Sequence, residues 1–318
     1  MKVLIGNNPM GLENAIPDLQ NRYPHIRFVH AADRAQLAGQ IVDADVYVGW
    51  LNRDLFMAAR QLKWIQSPSS GINAFLEIPE LVQSDVLLTS ARGTHGACVA
   101  ESAIGMILAF TRQIRGAILA QQQRRWAMGE LRPRTFELTG SILGVIGMGT
   151  IGQAIAKRAV AFDMRVIAVD MLPTNCPPAE VWGMDRLDDL LRQADFVAVT
   201  VPYTPATAGL IGARQIALLK PTAMLIGISR GGIIDETALI TALREGRLAA
   251  AALDVFAQEP LPADSPLWEL DNLLITPHIA GGSQFEGRYI LEIFYENLER
   301  FLNGNLPLRN QIDKRRGF

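Results

Sequence analysis

The feature that most constrains this chain is an apolar run over 142–146 that leads straight into Gly147, Gly149 and Gly152, spaced G-x-G-x-x-G. Beyond it, Ile151, Ala154, Ile155, Arg158 and Ala159 recur at helical spacing. Strand, glycine turn and helix follow in the order that a dinucleotide phosphate site requires. Gly147 would make the tight turn, Gly149 would let backbone approach a pyrophosphate, and Gly152 would let helix and strand pack closely. The helix start adds unpaired N–H groups and a partial positive charge. A glycine-rich turn alone can be only a turn, so context matters. A second apolar run over 164–169 ends in Asp170, 18 residues past Gly152. An acid there is placed to accept hydrogen bonds from a ribose 2′-hydroxyl. It would also repel a 2′-phosphate, and the next residue, Met171, is not basic. NAD(H) is therefore expected over NADP(H).

At 318 residues the chain is long enough for two domains. It is 49% hydrophobic and 19% charged, which suits sizeable cores rather than disorder. The net charge of −2 and the absence of a long basic block argue against a nucleic-acid partner. No apolar run reaches the roughly 18 residues of a membrane helix, so no membrane partner is expected. The start of the chain reads as a strand followed by polar turn residues, not as a signal peptide. Cys98 and Cys176 have neither disulfide-framework nor metal spacing, so no metal is expected and a reducing, cytoplasmic location is the default.

Taken in order, strands are expected over 2–6, 26–29, 44–48, 63–65 and 86–88, with helices over 11–21, 32–42 and 54–61 between them. This alternation predicts a first parallel α/β unit of about 90 residues, without a glycine fingerprint. Its 67–73 loop, Ser-Pro-Ser-Ser-Gly-Ile-Asn, follows a strand. Small residues there would leave backbone N–H groups exposed, in a nest suited to a carboxylate. The same loop also reads as an ordinary strand-to-helix turn. Trp50 could wall such a site or sit at the edge of the core. One long apolar helix is expected over 99–123, suited to a homodimer interface and crossing between domains. After the glycine segment, strands over 196–201, 223–228, 249–255 and 273–275 alternate with helices over 187–191 and 236–245. An amphipathic helix over 285–302 would lead back to the first domain, followed by a polar tail.

Three polar residues fall just after the later strands: Arg230 in SRGGIID, Glu259 in DVFAQEP and His278 in TPHIAGG. Open α/β sheets build their sites at these carboxyl ends. Arg can clamp a carboxylate and polarise an adjacent carbonyl. His can give and take a proton near neutral pH. A carboxylate beside it would fix the ring and offset its charge. Each residue alone has a plainer reading, as a surface arginine, a turn glutamate or a structural histidine. Together, beside a dinucleotide site, they supply the proton partner that hydride transfer calls for.

These segments resemble the D-2-hydroxyacid dehydrogenase family. GVIGMGTIG, SRGGIIDE at 229–236, ALDVFAQEPLP at 252–262 and TPHIAGG at 276–282 match the family's motifs, as do the SSGIN loop and the VAE at 99–101. The chain end and PLWELDNLLITPH look most like the glyoxylate/hydroxypyruvate reductase branch. The resemblance implies an α/β protein of two doubly wound parallel-sheet, Rossmann-like domains with the active site in the cleft between them. A substrate (flavodoxin-like) domain would take 1–97 plus 286–318, and a dinucleotide-binding domain 98–285. It implies a 2-keto acid reductase, with Arg230 as substrate clamp, His278 as general acid/base and Glu259 as its partner. Asp254 would bind the nicotinamide carboxamide, and Thr150 and Ile151 the pyrophosphate. Val201 and Pro202 would line the adenosine side, and Ile228, Ser229 and Gly281 complete the cofactor set. Ser70 and Gly71 would offer N–H groups to the substrate carboxylate. Gly227 and Asn73 depart from the family's usual Asn and Asp. The same fold also serves an NAD(H)-sensing corepressor and enzymes acting on formate or phosphite, which stand as alternatives.

Overall fold

The computed structural model describes residues 1–8, 10–174 and 176–316. Pro9, within the polar turn expected after the first strand, Asn175, and the last two residues of the expected 286–318 segment lie outside that description. The chain divides into two compact units, Met1–His95 with Ser283–Phe318, and Gly96–Gly282.

In the first unit, strands β1 (Lys2–Ile5), β2 (Arg27–His30), β3 (Val46–Val48), β4 (Trp64–Gln66) and β5 (Leu87–Thr89) form one parallel sheet in the order β2-β1-β3-β4-β5. Every residue of β1, β3 and β4 is buried, because helices cover both faces. Val3, Ile5, Val48 and Trp64 pack with Ile290, Phe294 and Leu298 of the helix Glu286–Leu302. That helix buries one apolar stripe, and Phe294 stacks on Trp64 at 5.5 Å. Leu4, Tyr47 and Ile65 face the opposite core. The tail, which carries little pattern in sequence, is part of this unit. Gln311 bridges to Thr89. Lys314 Nζ donates to the carbonyls of Leu81, Ser84 and Val86 at 2.9, 2.5 and 2.8 Å.

The strand order of this sheet reverses between β1 and β3, where an open α/β sheet leaves a crevice. Tyr47 fills it. A Cβ added at Gly6 or at Gly49 would meet the Tyr47 hydroxyl at 2.5 Å, and that hydroxyl donates to Trp50 O at 2.8 Å.

The second unit holds β6 (Ile142–Ile146), β7 (Arg165–Asp170), β8 (Glu180–Gly183), β9 (Phe196–Val199), β10 (Met224–Gly227), β11 (Ala250–Leu253) and β12 (Leu273–Ile275), in the order β12-β11-β10-β9-β6-β7-β8. All pairings are parallel, with Val145 between Ala168 and Ala198. Period-two alternation sends Leu143, Val145 and Ile226 to one core and Ile146, Leu225 and Leu253 to the other. Both units are thus doubly wound parallel α/β sheets. Strand β8 has no counterpart in the sequence reading; as a short, half-exposed edge strand it lacks an apolar run.

The single helix expected over 99–123 is two helices, Gly96–Thr111 and Ile114–Gln122, bent by 66°. Gln113 breaks it with a left-handed φ of 55°. The first helix is packed on the β6 face of the core and on the helix Thr150–Ala159: a Cβ at Gly96 would lie 2.9 Å from Thr150 Cγ2. Among the described residues no single helix is long and apolar enough to cross a membrane.

Candidate active site

The second sheet reverses direction between β6 and β9, and the glycine segment leaves β6 at that point. Gly147 has φ 99°, a conformation open to glycine, and a Cβ there would meet Val201 N at 3.1 Å. Thr200 Oγ1 donates to Gly147 O at 2.6 Å, tying the ends of β6 and β9 together. Val201 and Pro202 follow directly. Gly149 is the N-cap of Thr150–Ala159 and supplies no side-chain cap, so the first turn, with Thr150, Ile151 and Gly152, keeps its N–H groups for another acceptor. A Cβ at Gly149 would stand in open space, whereas one at Gly152 would lie 2.1 Å from Gly147 O. The chain thus forms a cradle with bare backbone on the open side and close packing behind, which fits a pyrophosphate.

Asp170 ends β7. Its carboxylate accepts from Met148 N at 2.7 Å and Leu172 N at 2.9 Å, so it also braces the glycine turn. A carboxylate oxygen has more than one acceptor position, which leaves capacity for a ribose hydroxyl.

Beyond β10 and β11 the proton machinery is assembled. Ile228 and Ser229 are buried, and Arg230 Nη1 donates to Ser229 O at 2.6 Å. Burial pushes the Arg230 guanidinium below its ordinary range, and the negative charge of Glu259 opposes that shift. Glu259 Oε1 accepts from Phe256 N at 2.8 Å, and Oε2 lies 2.6 Å from His278 Nδ1. An ionised carboxylate only accepts, so Nδ1 carries hydrogen and Nε2 is the ring nitrogen left to exchange a proton. The pair is half exposed, at 46% and 34%, so its worth lies in orientation more than stability. Close packing brings these loops together: a Cβ at Gly231 would lie 1.8 Å from Phe256 O.

Asp254 has a role that its motif position does not reveal. It is 1% exposed, and its carboxylate accepts from Thr276 Oγ1 at 2.5 Å and from Ile279 N and Ala280 N at 3.0 Å. Its carbonyl accepts from His278 N at 2.9 Å. Asp254 thereby shapes the loop that carries His278, itself held at a left-handed φ of 53°. A non-glycine residue in that region costs about 1–3 kcal/mol and persists only where its surroundings over-determine it. Gly281 follows, its carbonyl accepting from Cys98 Sγ at 3.2 Å.

The expected catalytic and cofactor residues therefore all lie in the second unit, around the carboxyl ends of its strands. The expected substrate residues lie in the first. Trp50 follows β3 and is 43% exposed. Ser70 and Gly71 follow the adjacent strand β4. Gly227, where the family's usual Asn is replaced, faces Leu253 and Ile234 so closely that a Cβ would meet them at 2.7 and 2.9 Å.

Known proteins place this architecture. The model of the D-isomer specific 2-hydroxyacid dehydrogenase NAD binding domain matches residues 104–280. A D-3-phosphoglycerate dehydrogenase of Methanocaldococcus jannaschii is 37% identical over 86% of this chain and 52% of its own length. The chain thus spans about half the length of that relative. A glyoxylate reductase of Korarchaeum cryptofilum is 33% identical over 84% of this chain and 82% of its own. Among solved structures, an NADPH-dependent glyoxylate/hydroxypyruvate reductase of Sinorhizobium meliloti in complex with NADP and sulfate superposes with a TM-score of 0.84 at 27% identity, covering 100% of both chains. The second unit is accordingly a nicotinamide-dinucleotide-binding domain, and the chain belongs to the D-isomer specific 2-hydroxyacid dehydrogenase family.

Proposed function

We propose that this protein is a 2-keto acid reductase, interconverting glyoxylate, hydroxypyruvate or a similar keto acid with the D-2-hydroxy acid, and preferring NAD(H) to NADP(H). The observation that carries the reading is the 2.6 Å pair of His278 Nδ1 and Glu259 Oε2, in the unit that also holds half-buried Arg230 and the glycine cradle. When bound, the nicotinamide supplies the hydride. Arg230 binds the substrate carboxylate and polarises the carbonyl, because its planar fork matches paired oxygens and its partial burial weakens competition from water. His278 donates the Nε2 proton to the carbonyl oxygen, while Glu259 holds the ring and balances its charge. Backbone N–H groups of Ser70 and Gly71 receive the substrate carboxylate, and Trp50 borders it. Asp254 also offers an acceptor to the cofactor's carboxamide.

Substrate and cofactor choice are tested together, by assaying glyoxylate, hydroxypyruvate and longer keto acids with NADH and with NADPH. The expected result is turnover of a small keto acid with kcat/KM at least about 10-fold higher for NADH, since Asp170 disfavours a 2′-phosphate by at least about 1.4 kcal/mol. Equal or better use of NADPH, the cofactor of the Sinorhizobium reductase, would overturn the preference. Tight NADH binding without turnover of any keto acid would favour a nucleotide-sensing protein.

The second unit also carries the surface for a homodimer. Ile114, Ile118 and Leu119 on the helix Ile114–Gln122 are exposed, as are Met128 and Phe136, and Trp126 is 92% exposed. A run of large apolar side chains on one segment exceeds what a solvated surface needs, so a second copy of this chain is its proposed partner.

A further inference from the structure

The first unit contains an array that the reaction above leaves unused. Ser70 Oγ lies 2.8 Å from His95 Nδ1 and 3.1 Å from Ala91 O. Thr94 Oγ1 lies 2.8 Å from the same ring nitrogen and 2.8 Å from Ala91 O. On the other side of the ring, His95 Nε2 lies 3.2 Å from Glu286 Oε1, in the first turn of the helix Glu286–Leu302. The His95 and Glu286 side chains are only 13% and 22% exposed. The helix start is itself closely seated, since a Cβ at Gly287 would lie 2.3 Å from Met10 O.

A carboxylate only accepts, so Glu286 keeps hydrogen on Nε2, and the Nδ1 lone pair accepts from one of the two hydroxyls, Ser70 or Thr94, while the other donates to Ala91 O. The ring thus spans from a helix terminus to the serine of the 67–73 loop. That loop has small side chains, and its first half is anchored by its own bonds: Ser67 N donates to Thr89 O at 2.8 Å, Ser69 N to Ser67 Oγ at 3.1 Å, Ala91 N to Ser69 O at 3.0 Å, and Gly71 N to Ser69 Oγ at 3.2 Å; Ser70 is tied through its hydroxyl. The Ser70 hydroxyl is directed at Ala91 O as well as at the ring, which suits a brace rather than an activated nucleophile.

We propose that His95, anchored by Glu286, is a positioning residue for substrate binding. Through Ser70 it holds the loop in the conformation that presents its backbone N–H groups to a carboxylate. This rests on the assignment of that loop to the substrate carboxylate. Hydrogen bonds weaken steeply when misaligned, and a loop ordered in advance loses less freedom on binding. The brace therefore acts on substrate affinity, not on the chemical step.

The test is steady-state kinetics with glyoxylate and NADH. His95→Ala is expected to raise the KM for glyoxylate about 10-fold, the worth of one well-placed hydrogen bond. Its kcat and NADH dissociation constant should stay within about 2-fold, since the proton machinery and cradle are elsewhere in the chain. His95→Gln, whose amide can still meet both hydroxyl and carboxylate, should recover part of the loss. Ser70→Ala combined with His95→Ala should be no worse than His95→Ala alone, because both remove one bond. An unchanged KM in His95→Ala, or parallel changes in KM, kcat, NADH affinity and melting temperature, would overturn the proposal. Gly71→Pro separates it from the assignment beneath it, because proline removes one of the N–H groups, and Ser69→Ala, which removes only the bond between Gly71 N and Ser69 Oγ, controls for the loss of that internal bond. If Gly71→Pro leaves the KM unchanged, the Gly71 N–H does not bind the carboxylate and the assignment beneath the brace fails. If it raises the KM while His95→Ala does not, only the brace is wrong.

Discussion

At the scale of single residues, His278 shows how far a side chain's chemistry depends on what it cannot choose for itself. A histidine in a T-P-H segment is chemically able to move a proton, but its backbone sits at φ 53° because Asp254 accepts from both sides of its loop. His278→Ala is expected to lower kcat by ~10²–10⁴-fold with NADH binding retained, the usual worth of a general acid. Near-normal reduction of the best keto acid would exclude the proton-donor role. Asp254→Asn should act differently. The amide would turn an N–H₂ group toward donors, costing about 1–3 kcal/mol, so the melting temperature and kcat should fall together. A kcat loss with unchanged melting temperature would show that Asp254 acts on the cofactor alone. Arg230, Glu259 and His278 stood out in sequence because their motifs fall just after apolar strands. The bracing by Asp254 did not, since a buried carboxylate's partners are backbone groups supplied by the fold.

At the scale of elements, the glycines of one motif separate into two kinds. Gly149→Ala adds a methyl group to open space, so the protein should keep its melting temperature and lose NADH affinity in a fluorescence titration. Gly152→Ala would drive that methyl into Gly147 O, so it should lose stability as well, by about 1–3 kcal/mol from overpacking. If both variants melt alike, the distinction between cradle and packing glycines fails. Strands of four or more apolar residues were legible from their runs, and so was the helix Glu286–Leu302 from its stripe. Strand β8 was not, because an edge strand is stabilised by pairing with β7 and not by its own apolar face. The break at Gln113 was equally hidden, since nothing in the apolar pattern of 99–123 marks a left-handed residue.

At the scale of the whole chain, two units share an architecture but differ at their switch points. In the first, the Tyr47 side chain occupies the crevice beside Gly6 and Gly49. In the second, the corresponding crevice is lined by backbone at Gly147 and Gly149. Among the described residues, this is why a dinucleotide cradle forms at the second switch point and not at the first. The proposed homodimer belongs to this scale too. Ile118→Glu with Trp126→Glu should convert a dimer to a monomer in sedimentation equilibrium with little change in melting temperature, because both side chains are exposed in the single chain. A wild-type chain that sediments as a monomer would remove the proposed interface. The sequence by itself determined the strand–turn–helix cradle, the acid that ends β7 and the identity of the three polar residues, because each depends on local periodicity, glycine geometry or side-chain chemistry. Tertiary structure decided the rest. The Glu259–His278 bond, the Asp254 scaffold and the Ser70–His95–Glu286 brace join residues 19, 22–26 and up to 191 positions apart, and contacts over such separations arise only when packing closes the intervening chain.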